Sequence, residues 1–133
     1  MPKPQIDTLR KVPGFSGLDE ESLKAISDLA TEFQAEKGRV LIERGQPGTG
    51  LFLIEEGSVR VDMPSGKSAT LGSGDFFGEL AVFADVPRTA RVSVTAALTG
   101  LAISRRDLLG LLREEPSIAI TLLQQMAKRL AAG

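Results

Sequence analysis

Apolar positions recur along this chain with two different periods, and the change of period divides it. Leu23, Ile26, Leu29, Ala30 and Phe33 fall at helical spacing, which predicts a helix over about residues 20 to 31. Asp19 stands where an N-cap is expected, and Glu20 and Glu21 suit the positive end of the helix dipole. The pattern then changes to short strands. Arg39 to Glu43 is one and Leu51 to Glu55 is another, while Val59, Val61 and Met63 alternate with Arg60 and Asp62 as a half-buried strand should. Gly45, Pro47, Gly48, Gly50, Gly57, Pro64, Gly66, Gly72 and Gly74 punctuate the gaps. Further on, Val92 and Val94 alternate with Arg91 and Ser93, and Leu101 and Ile103 with Gly100 and Ala102; these two strands close a barrel at about residue 103.

Helical spacing then returns. Ser104 caps a helix through Arg105, Leu108, Leu109, Leu111 and Leu112, and Pro116 suits the first turn of another. The apolar stripe of that last helix is Ala119, Leu122, Leu123, Met126, Ala127 and Leu130, with Lys128 and Arg129 placed to favour its dipole. Many short strands at regular intervals imply a sandwich or jelly roll. The expected fold is mainly β, an antiparallel β-roll of the jelly-roll type, with one helix before it and two after it over residues 104–131. Residues 1–11, with two prolines and alternating charge, are expected to lack a strong fold, and Val12-Pro13-Gly14-Phe15 reads as a turn with an aromatic anchor.

At 133 residues the chain has room for one domain with a real core, so residues 1–133 are expected to form one. Sixteen Lys and Arg against seventeen Asp and Glu give a net charge of −1, so no basic field draws the chain to nucleic acid or anionic lipid. Neither a second helical domain nor a basic recognition helix is visible, which argues against direct DNA binding. The chain has no Cys and no His, which excludes disulfides, thiolate chemistry, the commonest general base and the commonest zinc ligand. An enzyme is therefore not expected. No apolar run approaches about 18 residues and no signal-peptide pattern opens the chain, so no membrane insertion is expected and the expected location is the cytoplasm.

One stretch breaks the apolar pattern with chemistry. In Phe76-Phe77-Gly78-Glu79-Leu80-Ala81-Val82-Phe83-Ala84-Asp85-Val86-Pro87-Arg88-Thr89-Ala90, a glycine, a carboxylate and an arginine sit in a largely apolar segment between strands. Buried Glu and Arg are costly without partners. An arginine fork fits a phosphate bidentately, and Gly78 lets a ligand approach the backbone. Glu79-Leu80-Ala81 are good helix formers whose free N–H groups would face an anion. A carboxylate beside an anion makes sense if it accepts from neutral hydroxyls such as those of a ribose, and an anion plus a sugar hydroxyl suggests a nucleotide. Pro87 fixes φ just before Arg88 and helps to aim it. The alternative is an internal Glu79–Arg88 ion pair stapling a turn, and spacing alone leaves both open. Gly45-Gln46-Pro47-Gly48 lacks the Lys-Ser/Thr ending of a phosphate-cradling loop and reads as a turn.

Phe77-Gly78-Glu79-Leu80-Ala81, six residues, then Pro87-Arg88-Thr89-Ala90 resembles the phosphate-binding cassette of cyclic nucleotide-binding domains. That family includes catabolite-activator-type regulators, kinase regulatory subunits and nucleotide-gated channels. The likeness extends to Gly45–Gly48, to Leu51–Ile54, to Gly57–Val61 and to Leu71–Asp75, and covers roughly residues 12 to 130. The resemblance implies that Glu79 accepts from the ribose 2′-hydroxyl and that Arg88 pairs with the cyclic phosphate. It implies that Gly78, Leu80 and Ala81 line the pocket, and that Thr89 and Ala90 lie beside the phosphate, with Phe77 as further lining; the strand residues Val61 and Leu71 either line the pocket or pack in the core. A threonine at position 89 is associated in the family with tolerance of guanine, so the implied ligand is cAMP or cGMP, with no cofactor or metal. Gln124 and Gln125 are further groups that a base edge could meet, or simply a solvated helix face. The implied partners are the cyclic nucleotide and a protein effector, with a homodimer through the C-terminal helices where the last helix supplies a seam. Family regulators usually continue into a DNA-binding domain, and here the sequence stops shortly after the last helix, at Gly133. The alternative implied by the same fold is an interaction module that needs no nucleotide and keeps Glu79 and Arg88 as a structural pair.

Overall fold

The computed structural model describes residues 6–10, 15–46, 50–84 and 88–132, with the side chains of Thr8, Leu80 and Ala81 left aside. Two helices precede the sheet, α1 (Ile6–Arg10) and α2 (Glu20–Leu29). The strands are β1 (Thr31–Ala35), β2 (Val40–Ile42), β3 (Gly50–Asp62), β4 (Ser68–Leu71), β5 (Phe76–Phe77) and β6 (Arg91–Ser104). Helix α3 (Glu79–Ala84) lies between β5 and β6, and α4 (Arg105–Glu114) and α5 (Pro116–Ala131) follow. Every strand pairing is antiparallel. The path runs β1-β6-β3-β4, with β2 also on β6 and β5 also on β3. This is the expected antiparallel roll, with α3 starting where Glu79-Leu80-Ala81 read as good helix formers, and with α1 in addition to the expected helices.

Several helix ends follow directly from local chemistry. The Asp19 carboxylate accepts from the Ser22 amide at 2.8 Å and starts α2. The Ser104 hydroxyl accepts from the Asp107 amide at 3.1 Å and starts α4. Pro116 opens α5 at a position where its missing N–H costs nothing.

The differences from the expected elements each have a cause. Helix α2 stops at Leu29 because Ala30 is extended, and Phe33, which fits the helical stripe, lies on β1 opposite Gly100. A Cβ on Gly100 would come within 3.0 Å of the Phe33 ring, so this pairing uses the missing side chain. The separate strands expected at 51–55 and 59–63 are one strand, β3, bent at a bulge around Gly57. Gly57 has φ +95°, and a Cβ there would run into the Ala97 carbonyl. The bulge shifts the side-chain alternation: Phe52 and Ile54 before it, and Val59 and Val61 after it, all pack in the same apolar cluster. Met63 falls beyond the strand and is exposed. The strands expected near 92–94 and 101–103 are likewise one, β6. In the segment expected to lack a fold, residues 6–10 are helical and Leu9 is fully buried. Phe15, the anchor of the expected turn, is buried, whereas Val12, Pro13 and Gly14 lie outside the described residues.

Two apolar cores result. One joins the sheet to the helices through Leu9, Leu23, Ile26, Leu53, Phe76, Val82, Leu101, Leu108, Leu111, Ile118 and Leu122. The other fills the roll, with Ile42, Ile54, Val59, Phe77, Val92, Val94 and Leu98. Phe76 and Phe77, neighbours on β5, point one into each. The stretch that follows them is therefore fixed between roll and helices.

Candidate functional site

The site begins where β5 ends. Gly78 has φ +94°, and a Cβ on it would lie 2.7 Å from Arg88 Nη1 and 2.9 Å from the Gly50 carbonyl oxygen. Only glycine fits both the backbone and the space. Arg88 fills that space. Its Nη1 donates to the Gly78 carbonyl at 3.0 Å and its Nη2 to the Gly50 carbonyl at 3.0 Å. Its backbone is tied too: the Arg88 amide donates to Gln46 O at 2.8 Å, and the Gly45 amide donates to Arg88 O at 2.9 Å. Arg88 is 8% exposed and, with Ser22, one of the two buried polar residues among those described. Burial lowers its pKa, and the negative charge of Glu79 opposes that shift. Arginine remains a cation in the folded protein regardless.

Glu79 opens α3, and its partner comes from the far end of the chain. Arg129 Nη1 on α5 donates to Glu79 Oε1 at 3.0 Å, with the Glu79 side chain 13% exposed and that of Arg129 34% exposed. Arg129 Nη2 donates to the Phe76 carbonyl at 2.7 Å, and the guanidinium lies 4.7 Å from the centre of the Phe76 ring. The Glu79–Arg88 ion pair weighed above is not the pair formed. Arg88 is held by backbone carbonyls and Glu79 by Arg129.

The other expected residues divide. Phe77 is buried in the roll and stacks on Phe52 at 5.1 Å, and Val61 and Leu71 pack against the same cluster. Thr89 is exposed and Ala90 half-buried. Leu80 and Ala81 lie in the first turn of α3 by their backbone. Asp85, Val86 and Pro87 lie outside the described residues, so the aiming role of Pro87 does too. Gln124 is exposed and Gln125 half-buried. Sequence reasoning missed Arg129, which it assigned to the helix dipole, and the carbonyls of Gly50 and Phe76. Nothing in local spacing marks a contact across 50 residues. Among the described residues no group of three or more acidic, His or Cys side chains could hold a metal, and no helix is long and apolar enough to cross a membrane.

The arrangement is a buried cation beside a glycine turn, followed by a carboxylate at the start of a short helix. Comparison with known proteins gives the family. The family model for the cyclic nucleotide-binding domain matches residues 32–115, and the chain belongs to that family. A Rhodopseudomonas palustris protein bearing the name of a potassium channel is 38% identical over 112 residues, covering 82% of this chain and 27% of that one. A CRP-like cAMP-activated global transcriptional regulator of Mycobacterium tuberculosis is 27% identical over 121 residues, covering 87% of this chain and 54% of that one. This chain thus corresponds to only part of each of those relatives. Among solved structures, the Thermus thermophilus catabolite activator protein superposes with a TM-score of 0.76 at 30% identity, covering 90% of this chain and 59% of that one. The regulatory subunit of a cAMP-independent protein kinase A from Trypanosoma brucei superposes with a TM-score of 0.78 at 26% identity, covering 92% and 46%.

Proposed function

We propose that this chain is a regulatory sensor module that binds a cyclic purine nucleotide, cAMP or cGMP, and is not an enzyme. The observation that carries the reading is Arg88: a buried guanidinium beside a turn where only glycine fits, inside the family's cassette. In this reading Arg88 takes the cyclic phosphate, with the Thr89 hydroxyl and the backbone at Thr89 and Ala90 donating alongside. Glu79 accepts from the ribose 2′-hydroxyl, since Arg129 uses one of its oxygens and a carboxylate has a second. Gly78, Leu80 and Ala81 line the pocket together with Phe77, Val61 and Leu71. Occupancy shifts the population of α5 positions, because Arg129 joins that helix to Glu79. A protein effector reads the shift. Ile120, Leu123 and Leu130 on α5 are exposed, and their spacing suits a seam with a second copy.

A second reading is favoured by a specific observation. Both charges of the site are satisfied without a ligand, Arg88 by two carbonyls and Glu79 by Arg129. A module that needs no nucleotide would look the same. Thermal unfolding separates the two, using protein unfolded and refolded to remove any retained ligand. A ligand at about 100 times its dissociation constant stabilises by about 2.7 kcal/mol, on the order of 10 °C here. The sensor reading expects that shift for cAMP or cGMP and little for 5′-AMP. Unchanged melting with all three would leave the nucleotide-independent module.

A further inference from the structure

Helix α4 starts with two cations, Arg105 and Arg106, where the dipole favours acids. Helix stability does not call for them, and a local rule broken in this way points to another role. Arg106 is exposed, but Arg105 is half-buried and its Nε donates to the Val82 carbonyl at 3.0 Å. Helix α3 is only six residues long, so the Val82 carbonyl is among the last four, which have no acceptor role within their own helix. A guanidinium there supplies a charged donor to a carbonyl at the negative end of the helix that begins with Glu79. At its other end α4 passes into α5 through Glu115 alone, with Pro116 keeping that residue out of the helical conformation. The Ser22 hydroxyl, fully buried on α2, donates to Glu115 Oε2 at 3.3 Å and lies 3.1 Å from Ser117 Oγ. The corner between α4 and α5 is therefore braced.

We propose that Arg105 is a positioning residue that couples the cassette helix α3 to α4 and α5. A movement that starts at Glu79 shifts the Val82 carbonyl, Arg105 follows it, and the braced corner passes the shift to α5. This connects two regions by hydrogen-bonded contacts and one rigid helix, the kind of elements that carry energetic coupling between sites. Arg105 touches neither Glu79 nor Arg88 through this bond, so its loss uncouples without dismantling the pocket. The ligand-dependent part rests on the nucleotide reading above; the ligand-free part does not.

Amide hydrogen exchange on the full chain tests it, with wild type, Arg105→Ala and Arg105→Lys, each with and without saturating cAMP. Without ligand, Arg105→Ala is expected to speed exchange in α3 and in the first turn of α4 by about tenfold, with the β3 and β6 amides unchanged. Arg105→Lys, which keeps a charged donor, should recover part of that protection. With cAMP, Arg105→Ala should bind within about threefold of wild type yet lose most of the exchange response of α5. Unchanged α3 exchange in ligand-free Arg105→Ala would overturn the proposal, as would a full α5 response in that variant at saturation. If wild type binds no cAMP, cGMP takes its place in the same comparison; if it binds neither, the nucleotide reading fails and the ligand-free comparison alone decides the coupling.

Discussion

The cassette is held differently on its two sides. On the strand side, Arg88 is 8% exposed and both of its side-chain hydrogen bonds end on backbone carbonyls, one of them on β3. On the helix side, Arg129 is 34% exposed and grips Glu79 and the Phe76 carbonyl from a long, solvent-reaching side chain. A buried donor cannot leave its acceptors without leaving them unsatisfied, whereas Arg129, a third exposed, can trade its contacts for water at smaller cost. The strand side is thus an anchor and the helix side a catch. Under the proposed nucleotide reading, a ligand would meet a fixed cation and a carboxylate whose partner can move, so α4 and α5, rather than the roll, are the elements expected to respond.

The comparison is broken most severely at Gly78. Gly78→Val combines a left-handed backbone with a Cβ 2.7 Å from Arg88 Nη1, so it should cost about 2–4 kcal/mol in denaturant unfolding. Wild-type stability in that variant would mean that Arg88 is not packed against this turn. Arg88→Ala comes next. It leaves the Gly50 and Gly78 carbonyls without their donor and should cost about 1–3 kcal/mol by the same measurement.

Arg129→Ala sharpens the contrast, since a catch should be weaker than an anchor. Its expected cost is about 1 kcal/mol, with faster exchange at the start of α3 and in the C-terminal turns of α5, the two places its bonds join. A loss equal to that of Arg88→Ala would erase the distinction. The smallest effect lies away from the site. Glu55 Oε1 is buried without a hydrogen-bond partner among the described residues, and burial, followed by the charges of Glu32 and Glu56, raises its pKa above the ordinary 4.5. The folded state then holds that proton more tightly than the unfolded one. Stability from this group falls as pH rises through the window above 4.5 and stays low beyond it. Glu55→Gln should therefore stabilise slightly at about pH 7 and change little at about pH 4, as paired unfolding curves would show.

Much of this was legible in the sequence wherever the cause is local. Asp19, Ser104 and Pro116 mark helix starts by chemistry that acts within one turn, and Val59 and Val61 mark a strand by alternation. Gly78, Glu79 and Arg88 stood out because charged residues in an apolar stretch need a reason. What could not be read is non-local. Phe33 satisfies a helical period and a strand position equally, and only pairing with Gly100 decides between them. Gly57 looks like the end of one strand and the start of another until β6 runs past both halves. The partner of Glu79 lies 50 residues away on a helix whose cations have an ordinary local explanation. Arg105 and Arg106 carry a local sign, as cations at the N-terminal end of their helix, but the sign does not say which of them finds a partner.

The most direct test of the central claim is calorimetric titration of refolded wild type and Arg88→Ala with cAMP and cGMP. The account predicts saturable binding of at least one cyclic nucleotide to wild type, and a loss of about 2–5 kcal/mol in Arg88→Ala, because the bound phosphate loses its buried cation. Equal affinity in the two proteins, or no binding to folded wild type, would contradict it.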